Sequence, residues 1–554
     1  YDFCKIIFMK VLLARIKRHS RKNMRNEYFY RESELNKLYK IKNGVSCLRR
    51  NDEDKKIYFL KQIGLFLVFT FLFTFTSFGQ QLEITANCKN AYQNIIALKL
   101  DSGSYFIAKE RRENPTNKYI FLLENYIDFL SIYCSGENDK IEEKKADFDA
   151  RIKEIKNLDD INSPLKLYIQ AEIQLHTAVL LVKNNEYFSA IFYLRRSLKL
   201  LEQNMEKYPN FKANKKSLGL LYSILGSVPD QFKTGLSIIG LNGDVNEGMK
   251  MLKTLSEDKD FFYQHETATI YAFMLFHLNN EKEKAWQILK KNKFFDSNSK
   301  MDLYSIAHIG IYGLHNDEAI TSLQKAKFNT QYQSFPLMNF MLGLGKTYKQ
   351  DEDANVYFQK FLNEYTGEDY IKSAYQKMAW NELILQNDEQ YFEYIDKIRN
   401  NGRTQIDADK QAEKEIYFTT VPNHVLLKVR LLSDGNYNDK ALEILDKYNE
   451  DFFIMPKDKA EYQYRKARIF DKQNKNELAI TTYKKAMEKS QGIEAYFGAN
   501  ACYLIANIYE KQGDKEKAKE YYEKCLKMNA YEYHNSIMQK AKAGKNRVSG
   551  RTWY

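Results

Sequence analysis

Small side chains recur at regular places along the C-terminal third of the chain, and this recurrence restricts the fold more than any other feature of the sequence. Ala506 and Ala518 are each followed within four positions by a tyrosine, Tyr509 and Tyr522. This spacing places one alanine on each of two successive helices, where a short side chain lets antiparallel helices approach closely and a ring fills the gap beside it. The pattern therefore predicts helical hairpins stacked side by side.

The same pattern occurs upstream, which indicates a repeat. One earlier unit contains Ala467, Phe470, Ala479, Tyr483 and Ala486, and another contains Ile306, Ala307, Ile311, Ala319, Leu323 and Ala326. The second-helix alanines lie 34 residues apart from Ala285 to Ala319, 38 from Ala441 to Ala479 and 39 from Ala479 to Ala518. A tetratricopeptide repeat has about 34 residues, and these units resemble it. We therefore expect an all-α solenoid of stacked antiparallel hairpins, with about ten to twelve pairs between residues 85 and 540.

The pattern also divides the chain into regions. Residues 80–260 are predicted to form an N-terminal helical region, residues 261–400 a series of degenerate repeats, and residues 401–544 the clearest repeats with a closing cap. Residues 545–554 lack periodicity, and we expect a loose tail there.

A glycine-rich stretch in the N-terminal region departs from the plain repeat. Its distinguishing residues are Gly219, Pro229, Gly240, Gly243, Asp244 and Gly248. The stretch resembles the signature of the eukaryotic family that includes the inclusion-body clearance proteins and tetratricopeptide repeat protein 39, although Val228 and Leu241 replace its usual leucine and phenylalanine. The resemblance implies an all-helical repeat protein without enzymatic activity. Asp244 is also predicted to cap the N-terminus of the helix that follows it.

The first 79 residues carry most of the positive charge. They contain 17 Lys and Arg against 7 Asp and Glu, a net charge of +10 out of +13 for the whole chain. The remainder is close to neutral, so composition does not favour a nucleic-acid partner.

An uncharged apolar run extends from Ile63 to Phe78, between lysines and the small residue Gly79. This layout, over residues 54–79, is typical of a secretory signal peptide with cleavage after Gly79. An uncleaved membrane anchor is the alternative, although these 16 residues fall short of the roughly 20 that span a bilayer. Residues 1–53 are interpreted as an over-extended reading frame or a disordered leader. We therefore expect an exported, periplasmic or envelope-associated protein, or a membrane-anchored one.

Fragments that imitate catalytic or ligand-binding motifs each lack a required residue. The run at residues 345–347 ends like a phosphate-binding loop, but Phe340 occupies the position of its leading glycine. His265 begins a zinc-protease pattern in which Thr269 replaces the second histidine. The sequence therefore predicts no catalytic residue, no metal site and no cofactor.

The first helix of each hairpin is expected to line a concave groove. The exposed positions predicted for the three clearest units are Tyr304, His308, Tyr312, Tyr464, Arg468, Asp471, Tyr503, Asn507 and Glu510. Tyrosines mixed with polar groups suit an extended peptide or a partner helix. Cys502 and Cys525 occupy facing positions in the last unit, close enough to form a disulfide; two buried free thiols are the alternative.

These features predict a non-enzymatic scaffold that binds a protein or peptide in its groove. Two other functions stay open. The first is a membrane-anchored factor that handles lipid or aggregates, as in the family that the chain resembles. The second is an accessory protein of glycan uptake, although the lipoprotein cysteine that such proteins carry is missing.

Overall fold

The computed structural model describes residues 82–158, 162–228, 230–417, 420–529, 531 and 533–550. Within these ranges the chain forms 25 α-helices and two 3₁₀-helices, and no β-strand. None of the helices described there is both long and apolar enough to cross a bilayer. The predicted leader (residues 1–53) and signal peptide or anchor (residues 54–79) lie outside the described residues.

The N-terminal region begins with nine helices. These are α1 (Ala86–Ile96), α2 (Leu100–Glu113), α3 (Ile120–Ser135), α4 (Lys140–Lys156), α5 (Pro164–Lys183), α6 (Tyr187–Lys207), α7 (Lys212–Gly226), α8 (Asp230–Ile238) and α9 (Val245–Glu257). Local sequence explains where α5 begins: the Ser163 hydroxyl accepts a hydrogen bond from the Leu165 amide, and Pro164 occupies the first helical position. A serine cap followed by proline is a strong start signal for a helix.

The rest of the described chain is also helical. Its helices are α10 (Gln264–His277), α11 (Lys282–Lys291), α12 (Lys300–Ile311), α13 (Asn316–Lys325), α14 (Leu337–Lys349), α15 (Ala354–Glu364), α16 (Ile371–Ile384), α17 (Asp388–Asn400), α18 (Asp407–Glu415), α19 (His424–Asp434), α20 (Asn438–Leu445), α21 (Pro456–Lys472), α22 (Asn476–Lys489), α23 (Phe497–Lys511), α24 (Lys515–Leu526) and α25 (His534–Val548). The 3₁₀-helices are Phe294–Asp296 and Glu450–Phe452.

Helices adjacent in sequence pack against each other as hairpins. The pairs include α5 with α6, α10 with α11, α12 with α13, α21 with α22, and α23 with α24. Each hairpin also contacts the next, as α22 contacts α23. The alanines at the second-helix positions are completely buried, namely Ala285, Ala319, Ala441, Ala479 and Ala518. The prediction of an all-α solenoid built on these alanines is therefore confirmed.

The turns inside the hairpins share one backbone feature. A residue with positive φ ends the first helix at Asn185, Asn280, Gln350, Gln386, Asn436, Asn474 and Gly513. Asparagine and glycine adopt this left-handed conformation more readily than other residues do, and it lets the chain reverse directly after the helix. The recurrence of the same turn indicates that the degenerate units are variations of one hairpin.

The glycine-rich stretch forms the contact between α7 and α9. A Cβ atom on Gly248 would lie 2.6 Å from the carbonyl oxygen of Gly219, so the two backbones touch without side chains between them. The Asp244 carboxylate accepts a hydrogen bond from the Glu247 amide at 2.8 Å, which confirms the predicted cap. Pro229 lies outside the described residues.

Hairpins distant in sequence also touch. The Tyr437 hydroxyl, before α20, donates to Asp317 of α13 at 2.9 Å and accepts a hydrogen bond from Asn316 at 3.0 Å. The Thr366 hydroxyl donates to the carbonyl oxygen of Ser135 at 3.1 Å. These contacts join the N-terminal, middle and C-terminal regions into one body.

Two helices differ from the expected hairpin series. Helix α18 packs on α16, and its Asp409 carboxylate accepts hydrogen bonds from the Tyr370 and Ser373 amides at 2.7 and 2.9 Å. Helix α25 continues beyond the expected boundary at residue 544 to Val548, so the first part of the tail is ordered rather than loose. Ion pairs explain this order, because Lys545 lies 2.9 Å from Glu523 and Arg547 lies 2.9 Å from Glu510.

Candidate functional site

Three of the predicted groove residues lie close together, with Tyr304 and His308 on α12 and Tyr312 directly after its last residue. The ring of Tyr304 stacks on Phe273 of α10 with 6.4 Å between centroids. The Nε2 atom of His308 lies 3.1 Å from Nε2 of His277, and the ring of Tyr312 lies 5.1 Å from that of His308. All three are partly buried. Sequence reasoning missed Phe273 and His277, which contribute the other half of this aromatic group.

The histidine pair is uncharged at neutral pH. Burial lowers the pKa of His277 to about 4, and burial together with the neighbouring His277 lowers the pKa of His308 well below its usual value. One neutral imidazole therefore donates a hydrogen bond from its N–H group to the unprotonated nitrogen of the other. The pair links α10 to α12.

The second predicted group lies on α21, and one member needs correction. Tyr464 is only 3 % exposed, because the rings of Tyr496 and Phe497 cover it and its hydroxyl accepts a hydrogen bond from Asn500 at 2.6 Å. Tyr464 is therefore a core residue and offers no groove surface. Arg468 and Asp471 are partly buried. The Asp471 carboxylate accepts a hydrogen bond from the Tyr483 hydroxyl at 3.0 Å.

The third predicted group, Tyr503, Asn507 and Glu510 on α23, contacts the chain's own cap. The Tyr522 hydroxyl donates to Asn507 at 2.6 Å and also to Glu510. Arg547 donates to both Glu510 carboxylate oxygens, at 2.9 and 3.0 Å. Burial opposes ionisation of Glu510, but the hydrogen bonds from Arg547 and Tyr522 outweigh it and lower its pKa. These side chains hold α24 and α25 in place.

The disulfide predicted as one alternative for the last repeat is not present. Cys502 and Cys525 are free and buried, and their thiols lie 3.3 and 3.4 Å from the backbone carbonyl oxygens of Tyr521 and Ala499. Burial raises the pKa of each thiol to about 12. The alternative of two small buried side chains describes the pair correctly.

A charged cluster in the N-terminal region is closed to ligands. The Lys216 ammonium lies 2.8 Å from Glu172 and 3.0 Å from Glu266, and the side chains of Lys216 and Glu172 are at most 2 % exposed. The Tyr92 hydroxyl donates to Glu266 at 2.6 Å. Because these residues come from α1, α5, α7 and α10, the cluster fixes four helices against one another. Within the described ranges, His, Cys, Asp and Glu side chains form no group of three that could hold a metal ion.

An open cavity of about 300 Å³ lies on the C-terminal half, between α16, α18, α19 and α21. Aromatic side chains form part of its wall, namely Trp380, Tyr417, Tyr496, Phe497 and Tyr533. Charged side chains form another part, namely Lys414, Glu415, Arg430, Lys457, Asp458, Glu461 and Arg465. We refer to this space, with the residues just named, as the inner cavity. Arg468 lies about one helical turn after Arg465 on α21, but neither Arg468 nor Asp471 of the predicted α21 group lines the cavity.

One wall of the inner cavity centres on Trp380. Its indole nitrogen donates to Glu415 at 2.6 Å. The Lys377 ammonium lies 3.7 Å from the indole centroid, and the Arg430 guanidinium lies 4.9 Å from it. Burial, reinforced by the nearby charge of Arg430, lowers the pKa of Lys377 to about 7. Two cationic side chains therefore share one aromatic ring, an arrangement in which their mutual repulsion opposes the cation–π attraction of each.

The opposite wall centres on Arg465, which is 9 % exposed. Its guanidinium donates to Glu461 at 2.9 and 2.6 Å through two nitrogens and to the Tyr496 hydroxyl at 3.3 Å. These contacts fix the guanidinium beside the cavity. Sequence reasoning missed Trp380, Arg430 and Arg465, because the repeat pattern does not show which first-helix positions converge across neighbouring hairpins.

Comparison with known proteins identifies the repeats at the C-terminal end. A family model described as "Tetratricopeptide repeat" matches residues 460–488, which cover most of α21 and α22, and residues 499–531, which cover most of α23 and α24. No curated protein matches the chain. A crystal structure of the P58(IPK) TPR domain is 14 % identical and covers 74 % of this chain and 96 % of that chain. Its TM-score of 0.20 is too low to support any argument.

The resemblance of the glycine-rich stretch to the inclusion-body clearance family stays a prediction. The geometry of the α7–α9 contact accounts for Gly219 and Gly248 through close packing alone. The C-terminal part of this all-α solenoid, over residues 460–488 and 499–531, consists of tetratricopeptide repeats.

Proposed function

We propose that the chain is a non-enzymatic scaffold that binds a segment of another protein in the inner cavity. The observation that carries this proposal is the cavity itself, which is open, measures about 300 Å³ and lies beside tetratricopeptide repeats. Helical-repeat proteins generally use the surface formed by neighbouring hairpins to bind proteins or peptides.

The side chains of the cavity suit a protein partner. Tyrosine, tryptophan and arginine contribute most of the affinity in protein interfaces, and the wall contains all three types. Tyr417 is 77 % exposed at the rim, where a partner would cover it. Burial of such a ring against a partner stabilises a complex at a small cost in conformational entropy.

The proposal includes no chemical step. The Glu415 carboxylate accepts hydrogen bonds from Trp380 at 2.6 Å and from Gln376 at 2.5 Å, and the Glu461 carboxylate accepts from Arg465. Both carboxylates therefore serve as fixed acceptors that orient the aromatic and cationic walls. This supports a binding surface better than an acid–base centre.

A photo-crosslinking experiment tests the proposal. The photoreactive amino acid benzoylphenylalanine replaces Tyr417 at the cavity rim or, as a control, Leu478 of α22, which is 53 % exposed. Irradiation in the cells that naturally produce the protein should give one protein adduct from position 417 that is absent from position 478. The proposal is wrong if the two positions give the same adducts or if position 417 gives none.

We also propose that the mature chain is exported after cleavage behind Gly79. Support comes from the apolar run between Ile63 and Phe78 with its flanking lysines and small residues. N-terminal sequencing of the protein isolated from its host tests this. A first residue at Gln80 supports export, whereas a chain that retains residues 63–78 is a membrane-anchored protein and overturns this part of the proposal.

A further inference from the structure

The wall of the inner cavity contains four cationic and three anionic side chains, and neighbouring helices add further cationic side chains. Six cationic side chains gather there from α11, α16, α19 and α21, namely Lys282, Lys377, Arg430, Arg465, Arg468 and Lys472. Burial has the largest effect on the pKa of each of these side chains. The charge of one carboxylate, Asp434, also acts on all six and raises each pKa. Contacts support this grouping, because Arg430 lies 3.8 Å from Asp434 and Lys472 donates to the carbonyl oxygen of the preceding residue, Ser433. Lys377 and Arg430 both lie over the ring of Trp380. We call the six side chains the cationic cluster.

Glu415, Asp434, Glu461 and Asp471 lie near the cationic cluster, but among the described residues only one of these carboxylates forms a close ion pair with it. Arg465 pairs with Glu461 at 2.6 Å, whereas the Arg430 guanidinium is 3.8 Å from Asp434, near the limit of an ion pair. The Arg468 guanidinium makes no hydrogen bond or ion pair with any part of the chain that the structure describes. Arg468 is partly buried, and its donors are available to a ligand.

The lysines of the cluster donate to neutral oxygens. The Lys282 ammonium donates to the Tyr312 carbonyl oxygen at 2.6 Å, and the Lys377 ammonium donates to the Gln376 side-chain oxygen at 2.7 Å. Lys472 donates to the carbonyl oxygen of Ser433. These bonds orient the ammonium groups but neutralise none of their charge.

Burial disfavours the charged form of the lysines. Burial, with Arg468 as a further cationic influence, lowers the pKa of Lys472 to about 8 and shifts the pKa of Lys282 in the same direction. Cations that are partly desolvated and repel one another gain more from an added carboxylate than exposed lysines do.

We propose that the cationic cluster binds an acidic segment of the partner protein, whose Asp and Glu carboxylates lie between Arg430, Arg465 and Arg468. Guanidinium groups hold carboxylates through two parallel hydrogen bonds, which gives an arginine cluster its selectivity for this group. The inference rests on the proposed function, because it specifies the chemistry of the partner that the scaffold binds.

An acidic protein segment fits better than a nucleic acid. Residues 80–554 have a net charge of only about +3, so the cationic cluster is a local feature and not part of a basic track that could follow a phosphate backbone. Aromatic rings and the carboxylates of Asp458 and Glu461 flank the cluster. Such mixed surroundings match a peptide with separated carboxylates and apolar side chains.

Fluorescence anisotropy with a defined probe tests the inference. A short labelled peptide of glutamate, serine and tyrosine is compared with a second peptide in which glutamine replaces each glutamate. We expect the acidic peptide to bind at least tenfold more tightly, with an affinity that falls as salt concentration rises. The double variant Arg430→Gln/Arg468→Gln should lose at least tenfold of that affinity.

The variant Lys485→Gln is the matched control, because it also removes a positive charge but lies exposed on α22. It should bind the acidic peptide like the unmodified protein, and circular dichroism should show all variants to be folded. Equal binding of the two peptides, or equal affinity of the double variant and the control, would overturn the inference. Displacement of the peptide by an equal concentration of inorganic phosphate would overturn it as well, because the cluster would then be a site for free anions.

Failure of this inference is distinguishable from failure of the proposed function. If position 417 still gives its specific adduct while the glutamate and glutamine peptides bind with equal affinity, the scaffold function stands. The inference that the partner segment is acidic is then wrong. If position 417 gives no adduct, the scaffold function itself is wrong.

Discussion

Gly248 of α9 packs directly on Gly219 of α7, so that a Cβ atom on Gly248 would meet the Gly219 carbonyl oxygen at 2.6 Å. The same Cβ atom would also lie 2.6 Å from the Ser223 amide nitrogen. Because both obstacles belong to the backbone, a side chain at residue 248 could not be accommodated by a rotamer change. The contact therefore holds α7 and α9 together although α8 separates them in sequence.

This contact predicts the effect of adding one methyl group. The substitution Gly248→Ala should lower the free energy of unfolding by about 1–3 kcal/mol, because α9 must move away from α7. Urea denaturation monitored by circular dichroism measures the change. Lys250→Ala, on the exposed side of α9, serves as the control and should stay within about 0.5 kcal/mol of the unmodified protein. Equal stability of the two variants would show that the helices can separate without cost.

The fold could be predicted from the sequence because its determinants are local. Ala479 and Ala518 are small where two helices must touch, and Asp244 is a capping residue where a helix must begin. Each of these residues acts within its own hairpin. A periodic sequence pattern therefore contains the information needed to place each of these residues in the fold.

The surface of the site could be predicted only in part, because it depends on neighbouring hairpins. Tyr464 occupies a first-helix position like that of Tyr304, but Phe497 and Tyr496 of the next unit bury it. Arg547 reaches Glu510 from a helix whose end lacks apolar periodicity. Such contacts depend on the rotation between successive units, and one sequence does not specify that rotation.

The His277–His308 pair predicts how stability depends on pH. The unfolded chain binds a proton at each histidine near the ordinary pKa of 6.5, whereas the native pKa is about 4 for His277 and well below its ordinary value for His308. Between pH 6.5 and 4 the unfolded state therefore binds more protons, and acidification lowers the free energy of unfolding. Above pH 6.5 the pair contributes no pH dependence.

The substitution His308→Phe isolates this effect, because a phenylalanine can pack beside Phe273 without binding a proton. We expect the stability of this variant to fall less than that of the unmodified protein between pH 6.5 and 4. Chemical denaturation at a series of pH values measures the difference. Leu478, which is exposed and carries no titratable group, provides the control, since Leu478→Ala should leave the slope unchanged. Parallel pH profiles for all three proteins would contradict the assignment.

Cys502 and Cys525 should be unreactive in the folded protein. Burial raises the pKa of both thiols to about 12, so almost no thiolate forms at neutral pH, and the surrounding helices block access. Ellman's reagent should modify neither residue until denaturant is added, and then both. Mass spectrometry under non-reducing conditions should show both thiols in the reduced form. An oxidised pair in the protein isolated from its host would instead support the disulfide.

The Lys216–Glu172 ion pair should be essential to the N-terminal region. Burial opposes ionisation of Glu172, but the charge of Lys216 at 2.8 Å outweighs burial and holds the pKa of Glu172 below its usual value. Replacing Lys216 with methionine leaves this carboxylate buried without its counter-charge. We expect Lys216→Met to lower the free energy of unfolding by about 3–5 kcal/mol.

Two further variants separate the charge from the size of the side chain. Lys212→Met, on the same helix, breaks a partly exposed pair with Asp258 at 2.6 Å and should cost much less stability than Lys216→Met. The double variant Lys216→Met/Glu172→Gln removes both charges of the buried pair and should recover part of the lost stability. Urea denaturation of the three proteins gives these differences directly. If the double variant is as unstable as Lys216→Met, loss of packing rather than an uncompensated charge destabilises the region, and the assignment of Lys216 as the neutralising partner of Glu172 is wrong.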